Sequence, residues 1–201
     1  MTTSAEPQVV ARSLSATKAA TRRRLLDAAR DLAADGGYDA VTMRAVAHRA
    51  GVSAPTAYQY FSSRDHVLVD VFVDLASGTS AVITARPSRR REPADRAVAT
   101  LRRVVQRMED EPELFVALVR AYLSGAPEVR HASAAMQSSM RVWINSALGS
   151  APVPDRDAVI AILEAVLLTG LVSLVIGNRS PADIGDDLER AARLLLKAPG
   201  S

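Results

Sequence analysis

Residues 44–68 read RAVAHRAGVSAPTAYQYFSSRDHVL, and the reading of this stretch decides the fold. Just before it Thr42 is a good helix N-cap, and Met43, Val46, Ala47 and Ala50 fall at i, i+3, i+4 and i+7, one face of a short helix. Gly51 supplies the left-handed backbone conformation that a tight turn needs. Val52 turns inward, Ser53 caps a further helix, and Pro55 stands in its first turn, where a missing N–H costs little. Helix, glycine turn and helix within about 20 residues make a helix-turn-helix unit.

With successive side chains about 100° apart around the second of these helices, Ala57 and Phe61 point back to a core. Pro55, Thr56 and Gln59 face outward, flanked by Tyr58 and Tyr60. That face offers methyl contacts and amide or hydroxyl hydrogen bonds to base edges, and its phenols suit phosphate oxygens. The plain alternative, an amphipathic helix with half-buried tyrosines, requires cap, turn, polar face and basic flank to coincide by chance. Charge points the same way. Residues 1–64 hold nine Lys/Arg, Arg44 and Arg64 among them, against five acids, whereas residues 65–201 hold 16 against 17. Excess positive charge on the segment with the glycine turn suits a polyanionic partner.

Outward from this unit the chain reads as helix throughout, an all-α architecture. A first helix is expected over 17–35, with Leu25, Ala28, Ala29, Leu32 and Ala33 on one face and Gly36-Gly37 as its stop. A long helix over 64–84 carries Val67, Leu68, Val71, Phe72 and Leu75 inward and ends at a loop containing Pro87, the arginines 89–91 and Pro93. Further helices are expected over 93–108, 112–124, 127–148, 155–177 and 181–197, several opened by proline and the last capped by Ser180. Three regions are expected: a flexible arm at 1–17, a helix-turn-helix domain at 18–64, and a helical domain at 65–201.

Composition bounds the function. The 201 residues are 48% apolar with a mean hydropathy of +0.06, in the range of soluble globular chains. No cysteine is present, which excludes disulfides, thiolate nucleophiles and Cys-ligated metals. The N-terminal residues lack the continuous apolar run of a secretory signal, so a cytoplasmic location is expected. The apolar stretch 157–178 has the length of a membrane span, but Glu164, Asn178, Asp155 and Asp157 argue against one. Its apolar residues surround most of the helix, which demands burial on more than one side. A helix facing its own core and a twin subunit meets that demand. Leu163, Val166, Leu167, Gly170 and Leu174, with Ile184, Leu188, Ala191 and Leu195 of the last helix, are the expected homodimer residues.

Met108, Phe115, Leu118, Val119, Tyr122, Met136, Met140 and Trp143 lie on consecutive helices and suit the lining of a pocket for a bulky apolar ligand. Arg103, Arg107, Arg120 and Arg141 recur near them, as partners for a ligand carboxylate or phosphate or as surface ion pairs.

The stretch GGYDAVTMRAVAHRAGVSAPTAYQYFSSRDHVL, residues 36–68, resembles the DNA-binding domain of TetR-type bacterial transcriptional regulators. The resemblance implies that Thr42, Tyr58, Tyr60 and Arg64 contact phosphates and that Pro55, Thr56 and Gln59 meet bases. Arg44 and Ser53 complete the DNA-facing set. It also implies a dimer on a double-stranded operator and a small-molecule apolar effector. Two positions depart from the family pattern: Ala57 replaces a larger aliphatic, and Arg64 replaces the usual Lys while keeping its charge. More narrowly, ALVRAYLSGAPEV (117–129) and SLVIGNRSPADIGDDLERAARLLL (173–196) resemble actinobacterial TetR-type repressors of steroid catabolism, which implies steroid acyl-CoA effectors.

An enzyme is the competing class, and the inventory is poor for it. His48, His66 and His131 show no metal-ligand spacing, and Ser15–Lys18 matches Ser-x-x-Lys without partner motifs. No catalytic residue, cofactor or metal is therefore expected. A helical module that binds ligand or protein without DNA is the remaining alternative.

Overall fold

The segment ATRRRLLDAARDLAA, residues 20–34, combines strong helix formers with an apolar stripe, and it forms the body of the first helix in the computed structural model. The structure describes residues 6–85, 88, 90–150, 152–177 and 179–196, without the side chains of residues 6–15, 128, 131 and 133. Among these residues every regular element is a helix: α1 (Glu6–Ala40), α2 (Met43–Arg49), α3 (Ala54–Tyr60), α4 (Arg64–Ala85), α5 (Pro93–Asp110), α6 (Pro112–Tyr122), α7 (Pro127–Leu148), α8 (Arg156–Val175) and α9 (Pro181–Leu195). The all-α expectation holds.

Where α1 begins is a correction. It starts at Glu6, so residues 6–17 of the expected arm continue the helix, Ser15–Lys18 included, and residues 1–5 lie outside the described residues. The reason is local: Pro7 sits in the first turn, where it breaks no hydrogen bond, and nothing after it interrupts the helix before Gly36. The expected stop is present. Gly37 takes φ 67°, in the left-handed region, and one more turn carries Tyr38 and Asp39.

The turn between α2 and α3 is built from its own side chains. The Thr42 hydroxyl accepts the Ala45 amide at 3.1 Å and Ser53 Oγ accepts the Thr56 amide at 3.2 Å. Each cap contributes about 1 kcal/mol. Between them Gly51 adopts φ 66°. Ala57 and Phe61 are 0% and 1% exposed, so α3 turns toward the core the face that its spacing predicts.

In the remainder α4 packs against α1, α6 and α7, while α5 packs against α9 and α7, and α8 against α9. Prolines occupy the first turns of α5, α6, α7 and α9, and a reciprocal Ser180–Asp183 capping box opens α9. Both α4 and α8 have the length and apolarity of a membrane span. In this fold the apolar surface of α4 serves three neighbouring helices.

The face that α8 shows to its own chain differs from expectation. Leu163, Leu167, Gly170, Ile184 and Leu188 are buried within the chain, where Gly170 of α8 meets Ile184 of α9, so they present little surface to a second copy. Val166, Leu174, Ala191 and Leu195 are half-buried. The exposed apolar residues of this region are instead Ile162, Leu168, Ile176 and Leu194. A helix that is apolar all round carries no periodic signal for which side meets its own core, and packing on α9 makes the choice.

Candidate nucleic-acid interface and cavity

The outward side of α3 is open. Tyr58 is 56% exposed, Pro55 and Gln59 are exposed, and Thr56 and Tyr60 are half-buried. Tyr60 also packs on the core, which fixes its ring. Thr56 and Ser53 hydroxyls lie 2.8 Å apart, so one acts as donor to the other while its partner keeps a hydrogen to offer outward. Arg44, on the exposed side of α2, and the exposed N-cap Thr42 border the same unit.

Arg64 is placed differently from an extended phosphate clamp. Its guanidinium carbon lies 4.0 Å from the Tyr38 ring centroid and its Nη1 is 3.6 Å from Asp39. Arg120 of α6 stands 4.4 Å from the same ring and 3.7 Å from Asp39. The Tyr38 hydroxyl donates to Asp65 at 2.6 Å. Burial, and then that hydrogen bond to a carboxylate, raise the phenol above its ordinary value. One tyrosine thus ties the start of α4 and the end of α6 to the corner between α1 and α2. A second tie joins Arg30, whose Nη2 meets both Glu111 oxygens at 2.9 and 3.0 Å, to the junction of α5 and α6. Sequence reasoning missed Tyr38, because its partners are 26 to 82 positions away and no local pattern joins them.

Tyr38→Phe is expected to cost about 1 kcal/mol of folding stability through the lost hydrogen bond. Tyr38→Ala, which also removes the ring from both guanidinium groups, should cost clearly more in the same urea titration. Equal losses would mean that the two cation–ring contacts contribute nothing.

Among α4–α8, outside the helix-turn-helix head, lie two adjoining apolar cavities of about 50 and 120 Å³. Phe72, Met136, Met140 and Leu171 border both. Met108, Phe115 and Trp143 line the first and Tyr122 the second, so six of the eight expected lining residues come together. Leu118 and Val119 do not. They are 0% and 1% exposed and border neither cavity, because α6 is enclosed by α1, α4 and α8. The α4 wall was missed, although Phe72, Leu75, Ala76 and Thr79 lie at i, i+3, i+4 and i+7 and their spacing was available.

Of the four arginines, Arg107 alone borders a cavity, and its side chain has no hydrogen-bond or ion-pair partner among the described residues. Arg120 is engaged with Tyr38, Arg141 lies 3.6 Å from Asp157, and Arg103 is exposed. Glu164 borders the second cavity. Its Oε1 is buried without a hydrogen-bond partner, and burial raises its carboxyl above the ordinary range, partly opposed by Arg141. No cluster of three metal-ligating side chains occurs among the described residues.

Residues 25–71 match the family described as bacterial regulatory proteins, tetR family, and residues 91–195 match the tetracyclin repressor-like C-terminal domain. The HTH-type transcriptional repressor KstR of Rhodococcus jostii is 34% identical over 87% of this chain and 82% of its own length. KstR of Mycobacterium tuberculosis is also 34% identical, over 87% of this chain and 80% of its own. Among solved structures, a TetR transcriptional regulator from Rhodococcus sp. RHA1 superposes with TM-score 0.72 at 25% identity, covering 92% of this chain and all of that one. Thermus thermophilus FadR, solved in complex with lauroyl-CoA, shares the fold at TM-score 0.70 and 22% identity, over 90% of this chain and 98% of that one.

Proposed function

The chain belongs to the TetR family of bacterial transcriptional regulators, and from that premise we propose that it is a ligand-responsive repressor: a homodimer that occupies a palindromic operator and leaves it when a bulky apolar effector, of the steroid acyl-CoA class, enters the helical body. The observation that carries the reading is the open polar face of α3, with Tyr58 56% exposed beside Pro55, Thr56 and Gln59. Residues 18–64 act as the DNA-binding domain and the remainder as the effector and dimerisation domain. Thr56, Gln59 and Pro55 meet base edges in the major groove, while Thr42, Arg44, Ser53, Tyr58 and Tyr60 hold phosphates, joined by Arg64, which stays stacked on Tyr38 and exchanges Asp39 for a phosphate. The dimer forms through the exposed side of α8, around Ile162 and Leu168, together with α9. It acts in the cytoplasm on double-stranded DNA and performs no reaction.

Release follows from volume. Pockets for small molecules typically enclose roughly 300–1,000 Å³, against about 50 and 120 Å³ for the two cavities lined from α4, while a groove of about 480 Å³ along α8 lies open to the surface. A bulky effector therefore has to spread α4 from α5, α7 and α8, whose side chains line the first cavity. The N-terminus of α4 is tied to the head through Arg64 and Asp65. Spreading α4 shifts the two heads of a dimer from the separation of successive major grooves, about 34 Å. The effector acts by favouring the spread state, so its binding and DNA binding oppose each other equally. The KstR relatives are named as repressors, which supports repression, and the resemblance of segments 117–129 and 173–196 to steroid-catabolism repressors supports the steroid thioester class.

The test is binding to a labelled duplex from upstream of its own gene at several salt concentrations, then with a steroid acyl-CoA added. Neutral hydroxyls release no counterions, so Arg44 and Arg64 of two heads give a slope of log affinity on log salt of roughly −3 to −4. Specific binding without release would discard the steroid thioester and keep the repressor. No preference over a scrambled duplex, with genome-wide selection also negative, would favour a helical binding module without DNA.

A further inference from the structure

Burying a carboxylate oxygen without a hydrogen-bond partner costs stability, so the half-buried Glu164 calls for an explanation that packing does not supply. It stands on α8 in a helix otherwise rich in leucine and valine, and its Oε1 has neither solvent nor hydrogen-bond partner. It borders the cavity also lined by Tyr122 and Gln137. The charged and titratable groups around it are Arg141 of α7, Tyr122 of α6 and Asp157 of its own helix, and Arg141 is already directed to Asp157 at 3.6 Å. A carboxylate that lines an apolar chamber, with one oxygen lacking any hydrogen-bond partner, matches a ligand that brings the missing donor.

At the other side of the shared wall the unpaired group is a cation, Arg107. The wall itself is formed by Phe72, Met136, Met140 and Leu171. Two of these are methionines, whose unbranched side chains change rotamer at low cost and would join the cavities into one elongated chamber. The chamber then has an acceptor at one end, a cation at the other, and apolar walls between.

Resting on the effector reading above, we propose that Glu164 accepts a hydrogen bond from a hydroxyl group of an elongated apolar effector whose opposite end places an anionic or carbonyl oxygen at Arg107. A ketone in place of the hydroxyl sets lone pairs against lone pairs and is rejected. An ether fills the volume and leaves Glu164 unpaired.

Trp143 is the protein's single tryptophan and lines the first cavity, so its fluorescence reports occupancy without reference to DNA. The experiment titrates the full chain, Glu164→Gln and Glu164→Leu with three probes: a steroid with a ring hydroxyl and a side-chain carboxylate, its O-methyl ether and its ketone. The unmodified protein should bind the hydroxy acid roughly tenfold or more tightly than the other two. Glu164→Gln, whose amide can offer an N–H to a ketone or ether oxygen as well as accept from a hydroxyl, should lose most of that preference, and Glu164→Leu should lose it with weaker binding of the hydroxy acid. Equal binding of all three by the unmodified protein overturns the role of Glu164 and leaves the effector reading intact. If no probe changes the fluorescence of any variant, the steroid-shaped effector and this inference both fail.

A second measurement needs no ligand. A raised folded-state carboxyl contributes stability below its unfolded value, near 4.5, that is lost as pH rises through the folded value. Glu164→Gln should therefore gain in Tm over the unmodified protein as pH rises from 4 to 7, and Glu164→Leu should be the more stable protein at neutral pH. A Glu164→Leu protein less stable than the unmodified one would assign the carboxylate to structure and overturn the proposal.

Discussion

Replacing Thr56 and Tyr58 together by alanine should reduce operator affinity by roughly a thousandfold while leaving the fold in place. Each contact contributes about 1 kcal/mol, and the proposed dimer repeats both, so the four losses add to about 4 kcal/mol. The fold should tolerate the change. Tyr58 is 56% exposed, and the Thr56 hydroxyl bonds only to its neighbour Ser53. The amide of residue 56, which Ser53 caps, survives in the variant. Fluorescence anisotropy on the specific duplex and thermal unfolding of the same preparation separate the two effects. Unchanged affinity would place base reading elsewhere than on α3. A lost Tm would make the pair structural.

Gly170→Val should destabilise the protein by about 2–3 kcal/mol and weaken the proposed dimer. A Cβ built at residue 170 would lie 2.6 Å from Ile184 Cγ2, 3.1 Å from Cγ1 and 3.3 Å from Cβ. Those atoms belong to a branched side chain that is 1% exposed, so no flexible end gives way and α8 must separate from α9. Removing a glycine from the helix interior returns somewhat under 1 kcal/mol, which does not offset the clash. Urea unfolding measures the first effect and sedimentation the second. Stability equal to that of the unmodified protein would mean that the two helices adjust without cost. Gly170→Ala meets the same Cβ contact with a smaller side chain and should fall between.

The helix-turn-helix unit was legible because its determinants are neighbours in the chain. Thr42 and Ser53 each bond an amide three positions on, and Gly51 needs only its own backbone freedom. Ala57 and Phe61 face the core at the spacing of one helical turn. The starts of α5, α6, α7 and α9 were legible for the same reason, since a proline in a first turn acts within that turn. The cavity was half legible: Met136, Met140 and Trp143 gave themselves away by type, whereas Leu118 and Val119 are of equally suitable type and lie elsewhere.

By itself, then, the sequence determined the helices, their caps and the face of α3 that is free to meet DNA, because each depends on interactions within about one turn of chain. Only the tertiary structure decided which sides of α8 are inner and outer, that Arg64 and Arg120 share the Tyr38 ring, and that Glu164 stands unpartnered at a cavity. Those outcomes turn on which helix arrives opposite. An all-apolar helix or an isolated charge carries no period from which that neighbour can be read.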